Sequence, residues 1–161
     1  MAVMTYADAA KQAVVDAMRA DPTVWCVGED LGSGGVFPQY KRLREYFGDR
    51  RISDAPISEA AIMGAAFGSA MVGTRPIVEM RFADFALCAT DELVNQIAKA
   101  RFMFGGQSRA PMVIRKPMGM WRSSAAQAED RAMVPSFASI PSRSQLPPAS
   151  RSIAGRSLTN S

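Results

Sequence analysis

No histidine occurs anywhere in the 161 residues. That absence removes Ser-His-Asp and Cys-His nucleophilic catalysis, and any histidine-ligated metal, from the chemistry this chain can run alone. Cysteine is almost as scarce. Cys26 and Cys88 lie far apart, in stretches that read as strand and helix, so reduced thiols of a cytoplasmic protein are expected rather than a bridge. The longest apolar run falls within residues 60–73 and is too short and glycine-rich to span a bilayer. MAVMTYADAA has no basic segment followed by an apolar core, so no secretory leader is expected. Acidic residues stop at Asp130. Residues 1–130 carry 15 basic and 15 acidic side chains, and the rest adds Arg131, Arg143, Arg151 and Arg156. The net charge of +4 therefore belongs to the tail, and the neutral body shows no basic stripe for nucleic acid. A Walker A pattern is missing too. The loop containing Gly32, Gly34 and Gly35 follows a strand but lacks the GxGxxG spacing and opens no helix directly. As a dinucleotide fingerprint it is weak, and an ordinary surface loop explains it better.

What is present alternates in type. Thr5 can cap a helix whose apolar positions, Tyr6, Ala9, Ala10, Ala13, Val14, Ala17 and Met18, follow the 3.6 period. Asp21-Pro22 ends it, and Val24 to Val27 is a short apolar run of the buried-strand kind. Pro38 suits the first turn of a second helix through Tyr40, Leu43 and Phe47, stopped by Gly48. Further strands are expected at 51–53, 76–80 and 111–116, with a long helix over about 86–104. This order implies an α/β fold, a mainly parallel sheet flanked by helices. Ser and Pro enrichment after residue 130, without either hydrophobic period, marks a tail.

The stretch Asp54 to Gly73, DAPISEAAIMGAAFGSAMVG, organises the rest. It reads as an apolar, small-residue helix capped by Ser58, suited to the interior and thin enough at Gly64, Gly68 and Gly73 for other backbones to approach. Its single acid, Glu59, sits in the first turn. A carboxylate there either complements the macrodipole or exchanges a proton with a bound heterocycle. Residue type alone leaves both open. Phe82, Phe85 and Phe104 divide in the same way between core packing and a ligand ring at the carboxyl end of a parallel strand.

The ordered segments VGEDLGSGGVF, FGDRRISDAPISEAAIMGAAFGSAMVGTRPIVE, FADF, DELVNQIAKARFMFGGQ and PMVIRKP resemble the beta subunit of a thiamine-diphosphate-dependent 2-oxo acid dehydrogenase, of the pyruvate or acetoin dehydrogenase type. The resemblance covers about residues 4–127. It implies a transketolase-like pyrimidine-binding domain over residues 1–127, with a divergent tail over 128–161 and the C-terminal domain of such subunits absent. In that family thiamine diphosphate lies between two subunits: the alpha subunit holds diphosphate and magnesium, and the beta subunit holds the aminopyrimidine. Glu59 matches the glutamate that hydrogen-bonds the pyrimidine N1′. Ile57 matches a residue lining the pyrimidine, and Phe85 the aromatic packing on it. Cys88 falls where many relatives have glutamine. The acyl group from the 2-oxo acid passes in such complexes to a lipoyl acyltransferase. Ala128 stands where the family has an active-site histidine, so a second reading is a non-catalytic subunit-interaction protein that keeps the fold. A third, a nucleotide-binding regulatory domain, rests on the glycine loop alone.

Overall fold

The computed structural model describes residues 3–117. Helix α1 spans Tyr6–Ala20 and starts as its sequence dictates, with Thr5 Oγ1 accepting the Asp8 backbone N–H at 3.1 Å. Its other end is held by Arg51, whose guanidinium donates to the carbonyls of Met18, Asp21 and Val24 and lies 5.3 Å from the Phe47 ring centroid. Met18 lies in the last turn of the helix, where carbonyls lack intrahelical partners, and Asp21 is its C-cap. Val24 opens the next strand, so Arg51 ties the helix end to the sheet.

Strand β1 (Val24–Gly28) runs between β2 (Ile52–Asp54) and β3 (Arg75–Glu79), and β4 (Val113–Arg115) adds to β3. The order is β2-β1-β3-β4 and every pairing is parallel, as the alternation of elements predicts. Side-chain alternation divides the core into two layers. On one face Cys26, Ile52 and Ile77 pack with Val14 and Met18 of α1 and with Leu31, Tyr40 and Leu43. On the other, Val27 and Val78 pack with Met80, Ala86, Ala89 and Leu93 and with Ile62, Met63 and Ala66 of α3 (Glu59–Met71). Gly28 permits close approach at the carboxyl edge, since a Cβ there would sit 2.6 Å from the Glu79 carbonyl oxygen.

Three elements differ from expectation. The second helix, α2, covers only Leu43–Phe47 and does not begin at Pro38. Gln39 and Tyr40 turn inward to hydrogen-bond Glu79, and that interior demand outweighs local helix preference. The long helix expected over 86–104 is instead a 3₁₀ turn at Asp84–Ala89, a π turn at Glu92–Ile97 and a short α4 at Ala100–Met103. Ala83, Ala86 and Ala89, all fully buried, follow the three-residue period of a 3₁₀ turn, which keeps small side chains on the surface facing α3. Ala98 N–H then bonds the Leu93 carbonyl five residues back.

The third difference concerns α3. Ser58 occupies the N-cap position, but its hydroxyl donates to the Pro56 carbonyl and makes no cap bond. The helix closes with a Schellman pair, Gly73 N–H to Ala70 O and Thr74 N–H to Ser69 O, with Gly73 at φ +106°. Only Ile62, Met63, Ala66 and Ala70 are buried, while Ala60, Ala61, Ala65, Met71 and Val72 are exposed. Among the described residues nothing lies within 4 Å of a Cβ built at Gly64, Gly68 or Gly73, so no backbone makes the expected close approach. The tail, residues 128–161, lies outside the described residues.

Candidate functional site

Three parallel strands end together, and the residues just beyond them form the site. β1 leads into Glu29 and Asp30, β2 into the turn that carries Ile57 and Glu59, and β3 through Met80 into Arg81 and Phe82. Ligands bind at this edge of open parallel sheets, outside the carboxyl ends of the strands.

Glu59 is the first residue of α3 and is half-buried. Its backbone position places the carboxyl at the positive end of a 13-residue helix dipole. Ile57 precedes it by two residues with its side chain 76% exposed, an apolar surface open for contact. Phe85 lies in the 3₁₀ turn that packs against α3, half-buried, with its ring edge-on to Phe82 at 5.7 Å and 82°. Phe82 in turn meets Phe37 edge-on at 6.1 Å. Helix α3 and the 3₁₀ turn thus place Glu59 and Phe85 on adjoining elements. Cys88, three residues beyond Phe85, is exposed and free.

Several charged residues at this edge carry no signal strong enough to single them out in the sequence. Glu29 is 9% exposed, and its carboxyl is pushed above the ordinary range, first by burial and then by the charge of Glu59. Arg81 opposes that shift, with one guanidinium nitrogen 3.7 Å from Glu29 Oε2 and the other donating to Asp30 Oδ2 at 2.6 Å. The available sequence sign for Glu29 was an acid directly after a buried parallel strand. A third acid, Asp84, opens the 3₁₀ turn. Its Oδ1 is buried and has no hydrogen-bond partner among the described residues.

Chemically, the edge offers two close carboxyl groups in a partly dry setting, one arginine and a cluster of aromatic rings. A half-buried carboxyl of this kind can hold or release a proton against a heterocyclic nitrogen, and Phe85 gives a flat apolar neighbour for such a ring. The donor set therefore fits an aminopyrimidine. Among the described residues no group of three or more histidine, cysteine, aspartate or glutamate side chains could hold a metal ion. The glycine loop is closed on itself, with Gly32 N–H donating to Asp54 Oδ1 at 2.8 Å, Gly34 N–H to the Leu31 carbonyl and Gly35 N–H to the Asp30 carbonyl. Those amides are engaged within the fold and do not form a phosphate cradle.

The pyrimidine-binding domain of transketolase, as a family, matches residues 2–152. The chain is 42% identical over 120 residues to the 2-oxoisovalerate dehydrogenase subunit beta of Bacillus subtilis, covering 74% of this chain and 37% of that protein. It is 39% identical over 152 residues to the acetoin:2,6-dichlorophenolindophenol oxidoreductase subunit beta of the same organism, covering 86% and 44%. Against the pyruvate dehydrogenase E1 component subunit beta of Rhizobium meliloti it is 41% identical over 128 residues, covering 79% and 28%. The chain thus spans less than half the length of each of these relatives. On the match across nearly its whole length, the chain belongs to the transketolase pyrimidine-binding domain family, and the relatives it resembles are dehydrogenase and oxidoreductase beta subunits.

Proposed function

We propose that this chain supplies the aminopyrimidine-binding half of a thiamine diphosphate site, as part of the beta subunit of a 2-oxo acid (pyruvate-like) or acetoin dehydrogenase. The observation that carries the reading is Glu59, a half-buried acid opening α3 at the carboxyl edge of a parallel sheet, beside buried Glu29. In this reading Glu59 holds a proton at its carboxyl against the pyrimidine N1′. Ile57 lines the ring, and Phe85 packs on its face and keeps water from it. When bound, thiamine diphosphate supplies the electron sink for decarboxylating a 2-oxo acid. An alpha subunit holds the diphosphate and its magnesium, and the acyl group leaves to a lipoyl acyltransferase. The small-residue face of α3, uncovered among the described residues, supports pairing with that second subunit, because an apolar helix face of this kind marks an interaction surface. Free Cys26 and Cys88 suit a reducing, cytoplasmic compartment.

The test is Glu59→Gln in a complete beta subunit carrying Ala128→His, assembled with its alpha subunit. Decarboxylation is lost while the circular dichroism spectrum stays unchanged. Undiminished turnover would remove Glu59 from the mechanism.

One observation favours a second reading, partner pairing without turnover: Ala128 stands where the family resemblance places a histidine. Co-purification with an alpha subunit, followed by titration with thiamine diphosphate and magnesium, separates the two. Pairing without cofactor binding selects the second.

A further inference from the structure

A buried carboxylate on the α1 side of the sheet is connected to Phe85 by one amide and two packed rings. Glu79, the last residue of β3, is only 6% exposed. Its Oε2 accepts from the Tyr40 hydroxyl at 2.9 Å and faces Arg115 Nε at 3.4 Å, and its Oε1 accepts from Gln39 Nε2 at 3.2 Å. Gln39 is itself buried, and the other end of its carboxamide accepts the Phe37 backbone N–H at 2.8 Å. Phe37 then meets Phe82, and Phe82 meets Phe85, each pair edge-on.

The chemistry of this link is specific. A carboxamide donates through nitrogen and accepts through oxygen, so it can serve a carboxylate and a backbone amide at once. Glu79 is fixed by the parallel pairing of β3 to strands on both sides. Phe37 belongs to an irregular segment between β1 and α2. The Gln39 side chain therefore ties the irregular segment between β1 and α2 to a strand that is paired on both sides. Edge-to-face rings carry that restraint to the 3₁₀ turn, since such pairs prefer a defined angle and separation.

We propose that Gln39 is a positioning residue for Phe85: anchored on Glu79, it fixes Phe37, and through Phe82 it sets the ring that faces the cofactor. The functional part of this inference rests on reading Phe85 as the aromatic neighbour of the aminopyrimidine.

Gln39→Leu keeps the side-chain volume and removes both hydrogen bonds. In the ligand-free chain, the aromatic carbon and proton signals of Phe82 and Phe85 are expected to shift in this variant, and the Phe37–Phe82 nuclear Overhauser contact to weaken. A folded Gln39→Leu protein with unmoved Phe85 signals overturns the proposal. Should that variant not fold, Phe37→Leu interrupts the same path one step later and is read in the same way. In the second measurement, thiamine diphosphate with magnesium is titrated into the chain paired with an alpha subunit. Gln39→Leu weakens binding by about threefold to tenfold, the worth of one aromatic contact, and has no further effect in a Phe85→Leu background. Additive losses from the two substitutions overturn the proposal. If the ring signals move while neither substitution alters cofactor binding, the positioning role stands and the cofactor role of Phe85 falls.

Discussion

At the level of single residues, Glu79 shows how much a buried charge can demand of its surroundings. Its carboxyl is pushed above its ordinary value of 4.5, chiefly by burial, although Arg115, Tyr40 and Gln39 all favour the charged form. Desolvation outweighs three donors. The folded state therefore binds this proton more tightly than the unfolded state does. The stability linked to it is fully present below about 4.5 and is lost as pH rises through the higher folded value. Glu29 is raised as well and adds to the same slope. Urea midpoints measured from pH 5 to pH 8 should fall with rising pH, and Glu79→Gln should flatten that fall. An unchanged slope in the variant would mean that the carboxyl is not held above its ordinary range. Cys26 shows the neutral counterpart, a fully buried thiol pushed up to about 12 and so unreactive at ordinary pH.

At the level of elements, α3 contains glycines with opposite roles. Gly73 sits at φ +106°, where it completes the Schellman pair that ends the helix. An alanine there places a Cβ in the left-handed region, so Gly73→Ala should destabilise the chain by about 1 kcal/mol in urea unfolding. Gly64 lies within the helix, and an added Cβ meets no atom within 4 Å among the described residues. Gly64→Ala should therefore stabilise the chain alone by about 0.5–1 kcal/mol, the cost of glycine's backbone freedom in a helix. Opposite signs for the two substitutions are the expected result. Equal signs would mean that the helix ends elsewhere or that Gly64 is covered. The 3₁₀ turn follows the same logic of packing, because the buried alanines at 83, 86 and 89 impose a period of three on that segment.

For the whole molecule, the two-layer core leaves an apolar helix face open. Ala60, Ala61, Ala65 and Met71 are exposed on α3, and Val72 follows its last turn. A core helix of this composition is suited to burial on all sides, and here one side has no covering among the described residues. On the proposed function, the occupant of that side is an alpha subunit. Gly68→Leu should not lower the urea midpoint of the chain alone, because the added side chain meets no atom within 4 Å of its Cβ among the described residues and replaces a glycine within a helix. It should weaken pairing with an alpha subunit by about tenfold or more, measured by sedimentation of the mixed subunits, because a bulky side chain keeps the two backbones apart. Unaltered pairing would place the interface on another surface. Among the described residues, no helix is long and apolar enough to cross a membrane.

By itself, the sequence determined the parallel α/β architecture. Short apolar runs alternating with helical periods specify strands and helices locally, and short connections leave few ways to join them. It also marked Glu59, because a lone acid at the start of an apolar stretch is conspicuous in one dimension. Tertiary structure decided what depends on distant partners. The late start of the second helix, at Leu43 and not at Pro38, reflects Glu79, forty residues beyond Gln39, drawing Gln39 and Tyr40 inward. Glu29 became a buried acid, its carboxyl pushed above the ordinary range by burial and by Glu59, only when the ends of three strands met. The Asp54–Gly73 stretch shows the division most plainly. Its composition predicts a buried helix, yet burial is a property of neighbours, and the described residues supply them on one side only.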